Sequence, residues 1–193
     1  DTTTGITIMQ MNAGLDTGAM LASVSCPIGP RTNAANLHDE LAVLGPPLLQ
    51  QVLADIKNHR SNASAQDDEQ ACYAHKILKP EAQMDWQCSA AALDRKVRAF
   101  NPYPVCFSVI KGERVRIWQA SPSPTQDTSE VPGTILRTHG AGIVVRCGDG
   151  ELTLEILQLA GGKALSAKQL LGAHQSLFAS GGRFDLPSAN ALS

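Results

Sequence analysis

From Val105 to Leu159 the chain is a succession of short aliphatic and β-branched runs, each closed by a turn signal. Residues 105–110 and 115–120 flank Lys111-Gly112. Pro132-Gly133 leads into 134–138, and Gly140-Ala-Gly142 precedes 143–147. Gly148-Asp149-Gly150 is a strong hairpin signal ahead of 152–159. Strands this short cannot bury a face singly, so the spacing demands a small barrel or sandwich. A polar loop with two prolines, residues 121–130, interrupts the series. Ser166 is the N-cap expected for a closing helix through Leu171, and the tail after Ser180 reads as loose.

The first part is organised differently. Residues 5–11 and 20–28 read as strands around a loop punctuated by Gly14 and Gly18. Thr32 or Asn33 is the expected N-cap of a helix with Leu37, Leu41 and Leu44 on one face. Gly45-Pro46-Pro47 should end it, and a second helix with Leu49, Val52, Leu53 and Ile56 should run from Leu48 to near His59. The polar, acidic run 61–70 reads as a surface linker. Beyond it, Ser89 is expected to cap a helix through Leu93, Val97 and Phe100, and Asn101-Pro-Tyr-Pro104 is expected to be extended. The domain division expected is therefore 1–60, a linker 61–75, and 76–193. Because Asp1 lies close against a strand pattern, the chain is expected to begin inside a domain.

Charge is uneven across this division. Residues 1–89 hold 5 Lys/Arg against 10 Asp/Glu, and the rest hold 11 against 8, so the basic half is compatible with a polyanionic partner. No apolar run reaches the ~20 residues that span a bilayer, and no basic stretch followed by an apolar one marks a secretory leader. The five cysteines, Cys26, Cys72, Cys88, Cys106 and Cys147, are widely and irregularly spaced, with no C-x-x-C. Neither a zinc site nor a redox pair is expected, and they read as reduced thiols serving as small buried hydrophobes.

In the first half Asp16 is the one obvious chemical candidate. Between two glycines, where backbone can approach a ligand, its carboxylate can hold a catalytic histidine or steer a water. The structural alternative is an aspartate that satisfies its own loop as an Asx turn. His38, His59 and His75 sit in helix or linker settings and read as surface groups. Trp86 and Trp118 read as core residues.

The series Ile6-Thr-Ile-Met-Gln-Met11, Gly14-Leu-Asp-Thr-Gly18 and Met20-Leu21 resembles the methionyl-tRNA formyltransferase family. Cys26-Pro-Ile28, Leu37-His-Asp-Glu-Leu41 and Leu44-Gly-Pro46 continue the likeness. So do Tyr73-Ala74, Lys76-Ile77, Glu81-Ala82, Asp85-Trp86, Arg98-Ala-Phe-Asn-Pro102, Gly133-Thr-Ile135, Gly148-Asp-Gly150, residues 161–164 and Leu170-Leu171. The likeness covers residues 5 to about 172 in order. It implies an α/β remnant of a Rossmann-like formyltransferase domain, followed by a mainly-β OB-like barrel domain that helps hold tRNA. The implied reaction moves a formyl group from 10-formyltetrahydrofolate to the amino group of methionyl initiator tRNA, with no metal. Asp16 would be the catalytic aspartate, acting with an upstream histidine and asparagine that stabilise a tetrahedral oxyanion. Met11, Asn12, Ala13, Gly14 and Leu15 would line the folate pocket, largely with backbone.

The histidine and asparagine of that pattern have no counterpart here, so these residues alone are not expected to turn over. The resemblance further implies a monomer in the bacterial cytoplasm, with no membrane partner. Lys76, Lys79, Arg95, Arg98, Arg114 and Arg116, with Lys96, Lys111 and Arg137 as candidates to join them, would form a strip that tracks tRNA phosphates and makes binding salt-dependent. Two other readings stand beside this one. One is a two-domain relative acting on another amine, such as an amino-sugar nucleotide enzyme or a folate-linked dehydrogenase. The other is a free-standing OB-type RNA-binding module, for which residues 5–28 would have no use.

Overall fold

The computed structural model describes residues 1–58, 62–124 and 129–187. It divides into two compact units, Asp1–Lys76 and the chain from Ile77 onward; His59 falls outside the described residues.

In the first unit, strands β1 (Thr3–Met9) and β2 (Met20–Pro27) pair antiparallel from Thr3↔Pro27 to Met9↔Met20, with an irregularity between Ile8 and Met9. Helix α1 (Ala34–Lys57) packs on both strands. Asn33 caps it, its side chain accepting the Asn36 N–H at 2.9 Å. The two helices expected around Gly45-Pro46-Pro47 are one: both prolines lie inside α1. An interior proline costs about 3 kcal/mol. Here the carbonyls it orphans, on Ala42 and Val43, belong to exposed residues that water can satisfy. Meanwhile Leu37, Leu41, Leu44, Leu48 and Val52 form an unbroken half-buried to buried stripe across the prolines, and a fully buried aliphatic side chain contributes about 1.5–3 kcal/mol. The face expected from Leu49, Leu53 and Ile56 is exposed; of that group only Val52 is buried. This unit is a two-stranded antiparallel sheet with one helix, and the described residues contain no parallel sheet.

Residues 62–76 belong to the first unit by their packing. Ser64 and Met20 exchange both backbone hydrogen bonds, at 2.7 and 2.9 Å.

The second unit opens with a short 3-10 turn (Lys79–Ala82), followed by helix α2 (Ala90–Ala99), capped by Ser89, with Leu93 and Val97 in the core. Strands β3 (Cys106–Ile110), β4 (Glu113–Ser123), β5 (Ile135–His139), β6 (Gly142–Arg146) and β7 (Glu151–Leu159) form an antiparallel sheet ordered β3-β4-β7-β6-β5, with β8 (Leu165–Ser166) on β7. Helix α3 (Ala167–His174) follows, capped by Ser166. Inward positions of the sheet alternate, as in Val115 and Ile117 or Leu152 and Leu154, around Trp86, Phe178 and Phe184. Asn101-Pro-Tyr-Pro104, expected extended, is a turn with both X-Pro peptides cis.

The strand order is open, so regular strands close no barrel among the described residues. The tail expected to be loose lies in the gap instead. Gly181 and Phe184 donate to the carbonyls of Ile135 and Gly133 at 2.9 Å each, and the Gly182 carbonyl accepts from Ile135 at 2.7 Å. On the opposite side Asp185 donates to Val109 of β3 at 2.8 Å. Phe184, fully buried against Trp86, anchors the segment. The last six residues, 188–193, lie outside the described part. Gly133 has φ 92° and meets the Phe184 carbonyl closely enough that a Cβ would crowd it, so both its dihedral and its neighbour require glycine.

All five cysteines are free thiols, but only Cys26, Cys106 and Cys147 are buried; Cys72 and Cys88 are exposed. Trp86 is core, as expected, and donates its indole N–H to Ser108; Trp118 is half-buried.

Candidate functional site

The loop between β1 and β2 is closed at its base by the Gln10 N–H donating to Ala19 O at 2.9 Å. Inside it, Asn12 Oδ1 accepts from the Gly14 N–H at 3.0 Å and the Thr17 hydroxyl at 2.8 Å. The Asx turn considered for Asp16 is thus made by Asn12. Gly18 is buried, and a Cβ on it would run into the Gln10 carbonyl. Asp16 has φ 56°, a left-handed conformation that non-glycine residues seldom hold. Its side chain is exposed and makes no hydrogen bond or ion pair among the described residues.

Across from this loop runs the stretch expected to be linker. The Gln66 side-chain amide donates to Asp16 O at 2.8 Å and to Gly18 O at 2.7 Å. Asp67 caps a short 3-10 turn over Asp68–Gln70, accepting from the Glu69 N–H and from Gln70 Nε2. Between loop and stretch lies a cavity of about 790 Å³, with Leu15, Asp16, Thr17, Met20, Gln66 and residues 67, 68 and 70–74 in its lining. Three of those side chains are carboxylates and none is cationic. The wall therefore favours an amine over a phosphate as the group that enters.

Of the residues expected at the folate pocket, only Leu15 lines this cavity. Met11, Asn12, Ala13 and Gly14 lie on the same exposed loop outside the lining, with Met11 85% and Leu15 74% exposed. Gln66 was not singled out from the sequence, and Tyr73 entered only through the family likeness, not as a site residue. Tyr73 carried a usable signal, being the first unit's only aromatic residue, set in a polar run. Gln66 carried none.

The basic residues are dispersed in role. Lys76 and Lys79 are exposed, the first in one unit and the second in the other. Arg95 is exposed on α2, whereas Arg98 is half-buried and pairs with the buried Asp94 at 3.0 Å. Lys96 donates to Gln83 O, Lys111 to Ser176 O, and Arg137 pairs with the buried Glu151. Arg114 and Arg116 are exposed on β4 and line a separate recess of about 240 Å³ with Gln158, Leu159, Ala160 and Gly161. The Arg114 guanidinium lies 3.5 Å over the Phe107 ring. Partial burial and the neighbouring Arg116 charge lower its pKa. Among the described residues no group of three or more His, Cys, Asp and Glu could hold a metal, and no helix is long and apolar enough to cross a membrane.

Comparison with known proteins gives a consistent pattern. The family model for the formyl transferase C-terminal domain matches residues 76–175, and the formyl transferase model matches residues 1–53. A methionyl-tRNA formyltransferase of Alcanivorax borkumensis is 48% identical over 183 residues, 94% of this chain and 55% of its own length. One from Pseudomonas putida is 45% identical over 181 residues, 94% of this chain and 57% of its own length. The chain thus spans about half the length of the curated relatives it matches. Among solved structures, HypX from Aquifex aeolicus in complex with tetrahydrofolic acid aligns with TM-score 0.63 at 18% identity, covering 89% of this chain and 30% of that one; the likeness is one of fold.

Proposed function

Because the chain belongs to the formyl transferase family, we propose that the protein transfers a formyl group from 10-formyltetrahydrofolate to the amino group of methionyl initiator tRNA. The observation that carries this reading is Asp16, whose carboxylate stands unengaged on a braced left-handed loop at the rim of an acidic cavity. Strain of this kind persists where the surroundings over-determine it, and it concentrates at reacting groups.

The folate supplies the activated formyl carbon. The loop fits such a partner: its backbone is pinned by Asn12 and Gly18, and Met11 and Leu15 offer exposed apolar surface beside it. The Asp16 carboxylate, unbonded among the described residues, is placed to accept a proton from an attacking amine or to orient a partner imidazole. The carboxylates in the lining draw the amine in. Among the described residues no histidine lines the cavity, so within them the carboxylate has no imidazole of the kind general acid–base chemistry would pair with it.

The second unit is proposed as the tRNA-facing part, an OB-like barrel with residues 181–185 as the seam between β5 and β3. Arg114 and Arg116 are its strongest phosphate candidates, supported by their exposure and shared recess. Arg95 and Lys79 add exposed positive charge there, Lys76 is an exposed cation at the end of the first unit, and Arg98 contributes less because Asp94 neutralises it. The division into 1–60, 61–75 and 76–193, a Rossmann-like plan for the whole catalytic domain, a monomeric state and a place in the bacterial cytoplasm belong to the same reading. It is tested by measuring formylation of methionyl-tRNA with 10-formyltetrahydrofolate. The assay uses residues 1–193 alone and joined behind the portion of the Alcanivorax borkumensis relative that they do not span. Turnover by the joined chain and none by residues 1–193 is expected. Turnover with an amino sugar but none with methionyl-tRNA would replace this acceptor.

A further inference from the structure

We infer that Gln66 is a positioning residue for Asp16, an inference that rests on the reading of Asp16 as the reacting carboxylate. The Asp16 loop has three sets of fastenings. Gln10 and Ala19 close its base, and Asn12 gathers Gly14 and Thr17 within it. Neither restrains the carbonyls of Asp16 and Gly18, which flank the left-handed turn. The Gln66 amide takes up both, at 2.8 and 2.7 Å, across a separation of 50 and 48 residues.

A primary amide has two N–H donors in a fixed fork, which suits two carbonyls two residues apart. It is also neutral. A lysine or arginine could reach the same oxygens but would place a cation beside the Asp16 carboxylate and compete for it. A glutamate keeps the shape and loses the donors. Gln66 is itself held in register because Ser64, two residues away, is locked to Met20 by a reciprocal pair of backbone bonds. The hold on Asp16 therefore comes from a stretch whose sequence carries no sign of chemistry. That stretch is also the far wall of the cavity, so wall and carboxylate are set by one side chain.

Gln66 is exposed, so its replacement opens no core void, and loss of fold is not the expected consequence. The test uses Gln66→Leu and Gln66→Glu in residues 1–193 and in the joined chain. In residues 1–193, the amides of Gln10 and Gly14, whose N–H groups are hydrogen-bonded in the loop, are expected to exchange with solvent at least about tenfold faster while the melting transition moves little. In the joined chain, kcat is expected to fall by tens- to about 100-fold with KM for both substrates within about threefold, the signature of lost positioning. Variants that keep kcat within about twofold overturn the inference, as does a kcat loss that tracks loss of the folded fraction. A wild-type joined chain that formylates nothing overturns the proposed function itself, and with it any catalytic role for the brace.

Discussion

The indole N–H of Trp86 donates to the hydroxyl of Ser108 at 3.0 Å, and both side chains are fully buried. The pair joins the entry to the second unit to the centre of β3. Replacing Ser108 by alanine strands the indole donor in the core, which costs about 1–3 kcal/mol. Urea denaturation should show the midpoint of the second unit falling accordingly. An unchanged midpoint would mean that water reaches the indole.

Phe184 packs against the Trp86 ring, with ring centroids 5.3 Å apart. Phe184→Ala should cost the second unit about 3–5 kcal/mol, as for other buried aromatic truncations. Ending the chain at Ser180 should do more, because the edges of β3 and β5 then lose the segment that bonds to both. Calorimetry on the two variants tests the ranking, and a truncated chain as stable as the parent would refute the seam.

Asp16 holds φ 56°, which favours glycine over any other residue. Asp16→Gly should leave the first unit as stable as before, or more stable by up to about 1 kcal/mol, while formyl transfer by the joined chain is lost. Asp16→Ala, with no side-chain means of accommodating the turn, should be both inactive and less stable. Thermal melts combined with the transfer assay check both halves; an active Asp16→Gly chain would remove the carboxylate from the mechanism.

Burial pushes the thiols of Cys106 and Cys147 up to about 12, from 9.0. A folded pKa above the unfolded one contributes stability that is complete below pH 9 and is lost as pH rises toward 12. Each thiol therefore steepens alkaline destabilisation by about 1.4 kcal/mol per pH unit in that window. A Cys106→Ala/Cys147→Ala chain should show a shallower slope between pH 9 and 12 by denaturant titration. In the native protein at pH 8, the exposed Cys72 and Cys88 should react with a thiol reagent first.

Arg114→Ala/Arg116→Ala should weaken tRNA binding nearly equally for initiator and elongator species. It should also reduce the logarithmic salt slope by roughly one for each phosphate left without its arginine. Arg98→Ala should change the slope little, because that guanidinium is already paired with Asp94, and should instead destabilise α2. A filter-binding salt series separates the outcomes; an unaltered slope in the double variant would move the tRNA surface elsewhere.

Where a signal was local, the sequence was legible. The caps Asn33, Ser89 and Ser166 stand where a side-chain oxygen precedes an amphipathic run. The hairpins at Lys111-Gly112 and Gly148-Asp149-Gly150 fall where turn chemistry puts them. Local rules failed where a distant partner outweighed them. Pro46 and Pro47 did not break α1, because the apolar stripe on either side buries against β1 and β2 while the orphaned carbonyls belong to exposed residues.

The sequence by itself determined the element types, the strand series of the second half, the glycine-flanked Asp16 and the family. Each of these is encoded in residues a few positions apart, as periodicity, turn chemistry or an ordered run of motifs. Only the tertiary structure decided that a polar stretch read as linker braces Asp16 through Gln66, and that a tail read as loose fills the gap between β3 and β5 through Phe184 and Asp185. It also decided that Lys111 is taken up by the Ser176 carbonyl, 65 residues away, while Arg114 and Arg116 face outward. The reason is physical: a hydrogen bond or an ion pair spanning 50 residues leaves no periodic trace in either segment, since the free energy that selects it arises only when folding has brought the partners together.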